Sequence, residues 1–266
     1  MMKSKLTICL VLTALLLTSC GPKVENYTFD QSLEKSEMWS VKVKGEDVYV
    51  HPTHQPHIAS FGVEEKGVEV VIEHLTANVE SVAVRPLGKK YDYTVEGNKI
   101  RLRLKPYDNI CVEVNGDEWN PLFLFVNPLE EGRRPDPNAE GVRYYKAGKV
   151  YKEDITLNSG ETLWIEGGAI VNGKVRAQNA ENVTIGGPGY VKKFEPGFGR
   201  SKMAFVVDNC KGVKVSDVTV LNRDCCSCAF FVLNINSCRT YKEVTMYSWC
   251  YENAFTILGW LWENSV

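Results

Sequence analysis

The sequence predicts an all-β protein: an N-terminal β-sandwich followed by a partial parallel β-helix. Three observations carry that prediction. Residues 27–126 hold short period-2 stretches rich in β-branched and aromatic residues, with no helical periodicity. From Gly141 onward, short apolar strands recur with Asn and Gly at their corners. The units Asn209-Cys210 and Asn236-Ser237-Cys238 open 27 positions apart, and a similar unit opens near Asn179. Periods of about 20–50 residues indicate stacked repeats.

Residues 1–20 read as a targeting signal and are set apart from the fold. Lys3 and Lys5 precede the apolar run Leu6 to Leu17, which is shorter than the roughly 20 residues that span a bilayer. The run closes on Leu17-Thr18-Ser19-Cys20 with Gly21 next. That pattern resembles the lipobox of bacterial lipoproteins, where cleavage precedes the Cys and its thiol carries the lipid. The expectation is an exported protein, periplasmic or at the cell surface, anchored to an envelope membrane through Cys20. Several acyl chains anchor stably where one does not, and Gly21 to Asn26 form the tether.

Within residues 27–126, strands are expected at Glu46 to Val50, Val68 to Ile72, Val79 to Pro86, Tyr91 to Val95 and Lys99 to Leu104. Glu96-Gly97-Asn98 supplies a hairpin turn between the last two. Strands at this spacing suggest a small sandwich. Residues 127–140 read as a linker, because Pro128, Pro135 and Pro137 interrupt a sheet and favour an extended chain.

Residues 141–266 read as the β-helix. Two strands flank the turn Asn158-Ser159-Gly160, and later ones are expected at Asn182 to Ile185, Gly212 to Val215, Val218 to Leu221 and Val244 to Met246. Coils stack at the strand spacing of about 4.8 Å. None buries its apolar face alone. Gly186-Gly187-Pro188-Gly189 is a turn, since no Lys-Ser/Thr or helix follows to make it a phosphate loop.

The chain has 31 basic and 33 acidic residues, a formal net charge of -2. No run of like charge points to nucleic acid or to a basic membrane-binding face. Nine cysteines include Cys9 and Cys20 in the signal, leaving seven. That odd number leaves at least one free thiol or an intermolecular bond. Cys210, Cys225, Cys226, Cys228, Cys238 and Cys250 sit in or beside apolar runs, which favours small buried hydrophobes. A zinc site would draw on the C-x-x-C of Cys225 and Cys228 with Cys238 and Cys250, but the second pair lacks close spacing. A disulfide among these cysteines is the remaining reading.

His51, His54 and His57 would share one side of a polyproline-like stretch, as a metal site needs. A sandwich loop with locally bonded imidazoles is the simpler reading, and no metal or cofactor is expected. Trp39, Trp119 and Trp164 could stack on sugars, although aromatic residues in β domains are more often core.

The stretch Gly141 to Val191 resembles the opening coils of right-handed β-helix glycoside hydrolases. The resemblance rests on Leu157-Asn158-Ser159-Gly160-Glu161-Thr162-Leu163-Trp164-Ile165-Glu166-Gly167-Gly168-Ala169 and on Asn182-Val183-Thr184-Ile185-Gly186-Gly187-Pro188-Gly189. These hydrolases include polygalacturonases and the dextranase and isopullulanase type, and the latter also carry an N-terminal β-sandwich. The resemblance implies inverting hydrolysis of a polysaccharide, with pectin or galacturonan as one candidate. In these families the catalytic Asp residues lie on neighbouring coils, in an Asn-x-Asp motif and an Asp-Asp pair. His-Gly and Arg-x-Lys follow and hold the substrate. Carboxyl groups about 6.5–9.5 Å apart leave room for the attacking water.

Asn253 stands at the Asn of that motif, but Phe255 occupies the Asp position, and no Asp-Asp, His-Gly or Arg-x-Lys follows. The expectation is a chain truncated before its catalytic Asp residues. Arg223 and Asp224 lie one coil earlier and are substrate-binding candidates, since Arg can grip a uronate carboxylate bidentately. The alternative for them is a surface ion pair at a coil corner. Two other functions stay open: a non-catalytic carbohydrate-binding lipoprotein, and a β-helix polysaccharide lyase. The lyase would use Ca²⁺, for which the sequence shows no acidic cluster.

Overall fold

A computed structural model describes residues 21–53, 55–194, 204–223, 230–234, 238–239 and 245–249. The described residues are all-β. The first eleven strands are β1 (Val24–Asn26), β2 (Trp39–Val43), β3 (Glu46–Val48), β4 (Val50–Pro52), β5 (His57–Val63), β6 (Val68–His74), β7 (Val82–Arg85), β8 (Tyr93–Glu96), β9 (Lys99–Leu104), β10 (Asn109–Val114) and β11 (Leu122–Pro128). They make two facing sheets. One runs β3-β2-β6-β9-β8; the other runs β1-β5-β11-β10-β7, with β4 beside β5.

The first of these sheets has the expected alternation. Val68, Val70 and Ile72 of β6 and Ile100, Leu102 and Leu104 of β9 face the core, while Glu69 and Arg103 face solvent. The second sheet is buried on both sides. Leu122, Leu124 and Val126 of β11 join the sandwich core, as do Ile110 and Val112 of β10. The intervening Phe123, Phe125 and Cys111 pack with Ile170, Tyr190 and Leu221 of the β-helix. β11 is apolar on both faces from Leu122 to Val126 and carries no polar/apolar period to read, whereas Ser60 of β5 and Asn109 and Glu113 of β10 are buried polar residues on the faces of Ile58 and Cys111.

The second part winds through β12 (Val142–Tyr145), β13 (Val150–Tyr151), β14 (Ile155–Leu157), β15 (Thr162–Ile165), β16 (Ile170–Val171), β17 (Val175–Gln178), β18 (Thr184–Gly186), β19 (Tyr190–Phe194), β20 (Phe205–Asp208), β21 (Lys214–Val215) and β22 (Thr219–Arg223). These form three parallel sheets: β12-β15-β18-β21, β13-β16-β19-β22 and β14-β17-β20. Val150, Ile170, Tyr190 and Thr219 are successive neighbours up one sheet. Leu163, Ile185 and Val215 climb inside another.

The corners explain the Asn and Gly spacing. Gly160, Asn182 and Gly212 each hold positive φ two residues before the strand of their coil. Asn tolerates that left-handed geometry and Gly has no Cβ to clash. Asn179 and Asn209 also have positive φ, and Asn209 Nδ2 donates to Asn179 Oδ1 at 2.6 Å. The repeat near Asn179 and Asn209 is therefore a stacked Asn corner; Asn236 lies outside the described residues.

Beyond β22 the described strands turn back. β23 (Phe230–Asn234) is antiparallel to β22, β24 (Cys238–Arg239) to β21, and β25 (Thr245–Trp249) to β23. The strand expected from Val244 to Met246 is thus the start of an antiparallel neighbour rather than of a further parallel rung. A hairpin needs only a short connection and covers the last parallel edge.

Candidate functional site

Arg223 is the last residue of β22, in register with Phe194 and Phe230. Its side chain lies outside what is described, as do Asp224, Asn253, Cys20, Cys225, Cys226, Cys228 and Cys250. Cys210 packs against the β-helix interior and Cys111 is buried at the seam.

The imidazoles do not converge as a polyproline turn would make them. His51 in β4 pairs with Ile58, and His57 in β5 pairs with Pro52, so the two histidines occupy opposite faces of a hairpin. His51 faces the β-helix. Its Nδ1 lies 3.1 Å from the Tyr49 hydroxyl and its Nε2 lies 3.3 Å from Lys192 Nζ. Burial, reinforced by Lys192 and His57, pushes the His51 pKa down to about 3. It is a neutral acceptor at neutral pH. His54 lies outside the described residues, and among those described no three ligating side chains gather.

The stretch read as a linker is strapped to the β-helix. Asn127 and Pro128 belong to β11, and Asn127 is fully buried. Glu130 accepts from Gly167 N at 3.0 Å, from Trp164 Nε1 at 3.2 Å and from Arg134 Nε at 3.4 Å. Burial raises its carboxyl pKa against those three donors. Arg133 pairs with Asp217, which is wholly buried between β21 and β22. Asp217 holds φ 65°, although Gly148 and Gly168 occupy the matching corner of the first two coils. Asp tolerates that conformation better than most residues. This strap puts Trp164 in the structural interior rather than on a sugar-binding surface. Trp39 is core, its Nε1 bonded to Asn120 O, whereas Trp119 is 39% exposed.

Three further carboxylates of the described coils also hold the fold together. Glu161 pairs with Arg143 at 3.1 Å, Asp154 pairs with Lys193 at 3.1 Å, and Glu166 accepts from the Tyr144 hydroxyl and from Ala147 N. Each of these three is engaged with a neighbouring donor or cation. The outer face of the β3-β2-β6-β9-β8 sheet forms a groove of about 590 Å³. Its lining is predominantly basic, with Lys42, Lys44, Lys99, Arg101 and Arg103 against Glu69 and Glu73. Arg101 lies 3.8 Å from Glu69, and Lys42 lies 3.3 Å from Asp47 outside the lining; exposed pairs of this kind are common on a solvated sheet face.

A different cavity, of about 420 Å³, opens where the segment after β1 crosses the sandwich edge. Phe29, Tyr49 and Leu75 give it apolar walls, and Asp30, Gln31 and Lys35 reach it from the crossing loop. Phe29 and Tyr49 stack at 4.4 Å. The loop is fixed: Tyr49 Oη donates to Glu34 O at 2.7 Å, Ser36 N donates to Val50 O at 3.0 Å, and Asp30 Oδ1 accepts from both N and Oγ of Ser32. These residues carry no motif, and only the sandwich edge brings them together.

Neither a known family's profile nor any curated protein matches the chain in sequence. The solved structures that resemble it include Dex49A from Penicillium minioluteum, with a TM-score of 0.54 and 15% identity over 76% of this chain. The chain spans 58% of the length of Dex49A. At this identity the likeness is one of fold.

Proposed function

We propose that this protein belongs with the polysaccharide-degrading β-helix glycoside hydrolases and works on a glycan outside the cytoplasm. The observation that carries the reading is the architecture: a sandwich seated against in-register parallel coils, shared with Dex49A. Stacked rungs suit this chemistry. A carboxylate on one rung and a second on a nearby rung stand a few ångströms to about a nanometre apart, which brackets the spacing for an acid, a base and an attacking water. In this reading the acid and base of the family come after the β22 position, in the motif whose Asn corresponds to Asn253 and whose Asp position holds Phe255 here, and not among the paired carboxylates of the described coils. Arg223 and Asp224 would lie at the substrate's edge. The Cys20 pattern supports export and lipid anchoring as part of the same proposal.

The test is incubation of the purified chain with dextran, starch, xylan and polygalacturonate, followed by reducing-end measurement. New reducing ends without ultraviolet absorbance would establish the hydrolase in this chain and overturn the expectation that its catalytic carboxylates are missing, since Phe255 stands at the motif's Asp position. Absorbing, unsaturated ends would establish a lyase instead. No new ends on any polymer would remove the catalytic reading.

A further inference from the structure

The 420 Å³ cavity at the sandwich edge is a binding site of a kind that neither the fold nor any motif assigns. Its volume falls within the roughly 300–1,000 Å³ of small-molecule sites. Its make-up is mixed in a particular way. Tyr49 and Leu75 present apolar surface, with Leu75 47% exposed despite its side chain being aliphatic. Asp30, Gln31 and Lys35 place acceptors and donors around that surface. A hexose ring has the matching pattern, with C–H patches between hydroxyl groups. The Ser32 bonds hold the Asp30 carboxyl below its usual range, so it stays an acceptor at neutral pH. The loop bonds to Val50 O and from Tyr49 Oη fix the walls before any ligand arrives, which limits the ordering cost of binding.

Charge selects among sugars. Asp30, Asp47 and Lys35 are the charged residues that line the cavity, and Asp47 also pairs with Lys42 at 3.3 Å, so Asp30 is the carboxylate that an entering anion meets. A uronate carboxylate entering there meets like charge, whereas neutral hydroxyl groups find acceptors.

The geometry points to a secondary carbohydrate subsite on the sandwich, selective for a neutral glycan over a uronate. It rests on the polysaccharide reading above and adds a substrate class to it. The subsite would hold polymer on the sandwich while the β-helix works on another stretch of it.

Binding is read separately from turnover. The full chain is titrated by calorimetry with isomaltohexaose, maltohexaose, cellohexaose and hexagalacturonate. Binding of at least one neutral hexamer, tighter than hexagalacturonate, is expected. Leu75→Arg fills the cavity mouth and should weaken that binding by at least about tenfold. Gln31→Ala and Asp47→Ala, both at exposed positions, should weaken it by about threefold or more with unchanged melting temperature. They keep the test decisive if Leu75→Arg fails to fold. No neutral binding, tighter uronate binding, or undiminished affinity in the variants overturns the subsite. Reducing ends released by variants that bind as the parent does would sink the subsite and leave the hydrolase reading intact. Cavity-dependent binding without any reducing ends would do the reverse.

Discussion

At the scale of single residues, the seam between the two parts depends on atoms that are absent. Gly168 holds φ 95°, and a Cβ there would lie 2.1 Å from the Thr28 carbonyl oxygen. Gly45 has a similar φ of 84° with nothing within 4 Å. Gly45→Ala should therefore cost only the left-handed penalty of about 1–2 kcal/mol. Gly168→Ala should cost more than that, because a backbone must also move; paired urea titrations give the comparison. His51 gives a pH signature. Its folded pKa of about 3 lies below the usual 6.5. Between those values the folded protein binds fewer protons than the unfolded chain, so this group's contribution is lost as pH falls through the window. The loss approaches about 1.4 kcal/mol per pH unit. Glu130 and Asp217, whose pKa values burial raises, act oppositely: their buried charge disfavours the fold as pH rises through their folded values. Stability measured from pH 6.5 downward should thus fall less steeply in His51→Phe than in the parent.

Among the elements, the strap after β11 is the one whose sequence misleads. Its prolines and charges look like a solvated linker, yet Glu130 is 1% exposed and accepts three bonds from the β-helix side and from Arg134. Glu130→Ala leaves the Trp164 and Gly167 donors unpaired in the interior and should cost about 1–3 kcal/mol for each. Glu130→Gln retains an acceptor and should cost less. The difference in unfolding midpoint at pH 7 checks both. Strands tell a parallel story. β9 (Lys99–Leu104) has the bounds its alternation predicts. β5 and β11 escape the same test because cores press on both their faces, and the alternation of Asn109 and Glu113 with Ile110, Val112 and Val114 in β10 marks no solvent face, since both sets are buried.

The whole molecule is tied through one shared sheet. Ile58, Phe123 and Phe125 leave the sandwich to pack on Ile170, Tyr190 and Leu221, and Ser60 Oγ meets Tyr190 Oη at 2.9 Å. Unfolding should consequently be a single transition, with tryptophan fluorescence and far-ultraviolet circular dichroism coincident. Residues 27–128 expressed alone should self-associate in size-exclusion chromatography, because that apolar face would be open to solvent. Two separate transitions, or a monodisperse isolated sandwich, would contradict the shared sheet.

By itself the sequence determined the class of each half. Period-2 alternation is written wherever one face meets water, and left-handed corners can be filled at low cost only by Gly, Asn or Asp, so the coil period is legible as Asn179 and Asn209. Tertiary structure alone decided what depends on contacts between distant segments. It made the double-sided burial of β10 and β11, the docking of Glu130 and Arg133, and the turning of His51 and His57 to opposite faces. It also made the sandwich-edge cavity, whose Asp30 and Leu75 are 45 positions apart along the chain. A local pattern records the environment of one strand, and carries no information about which surface arrives to cover it.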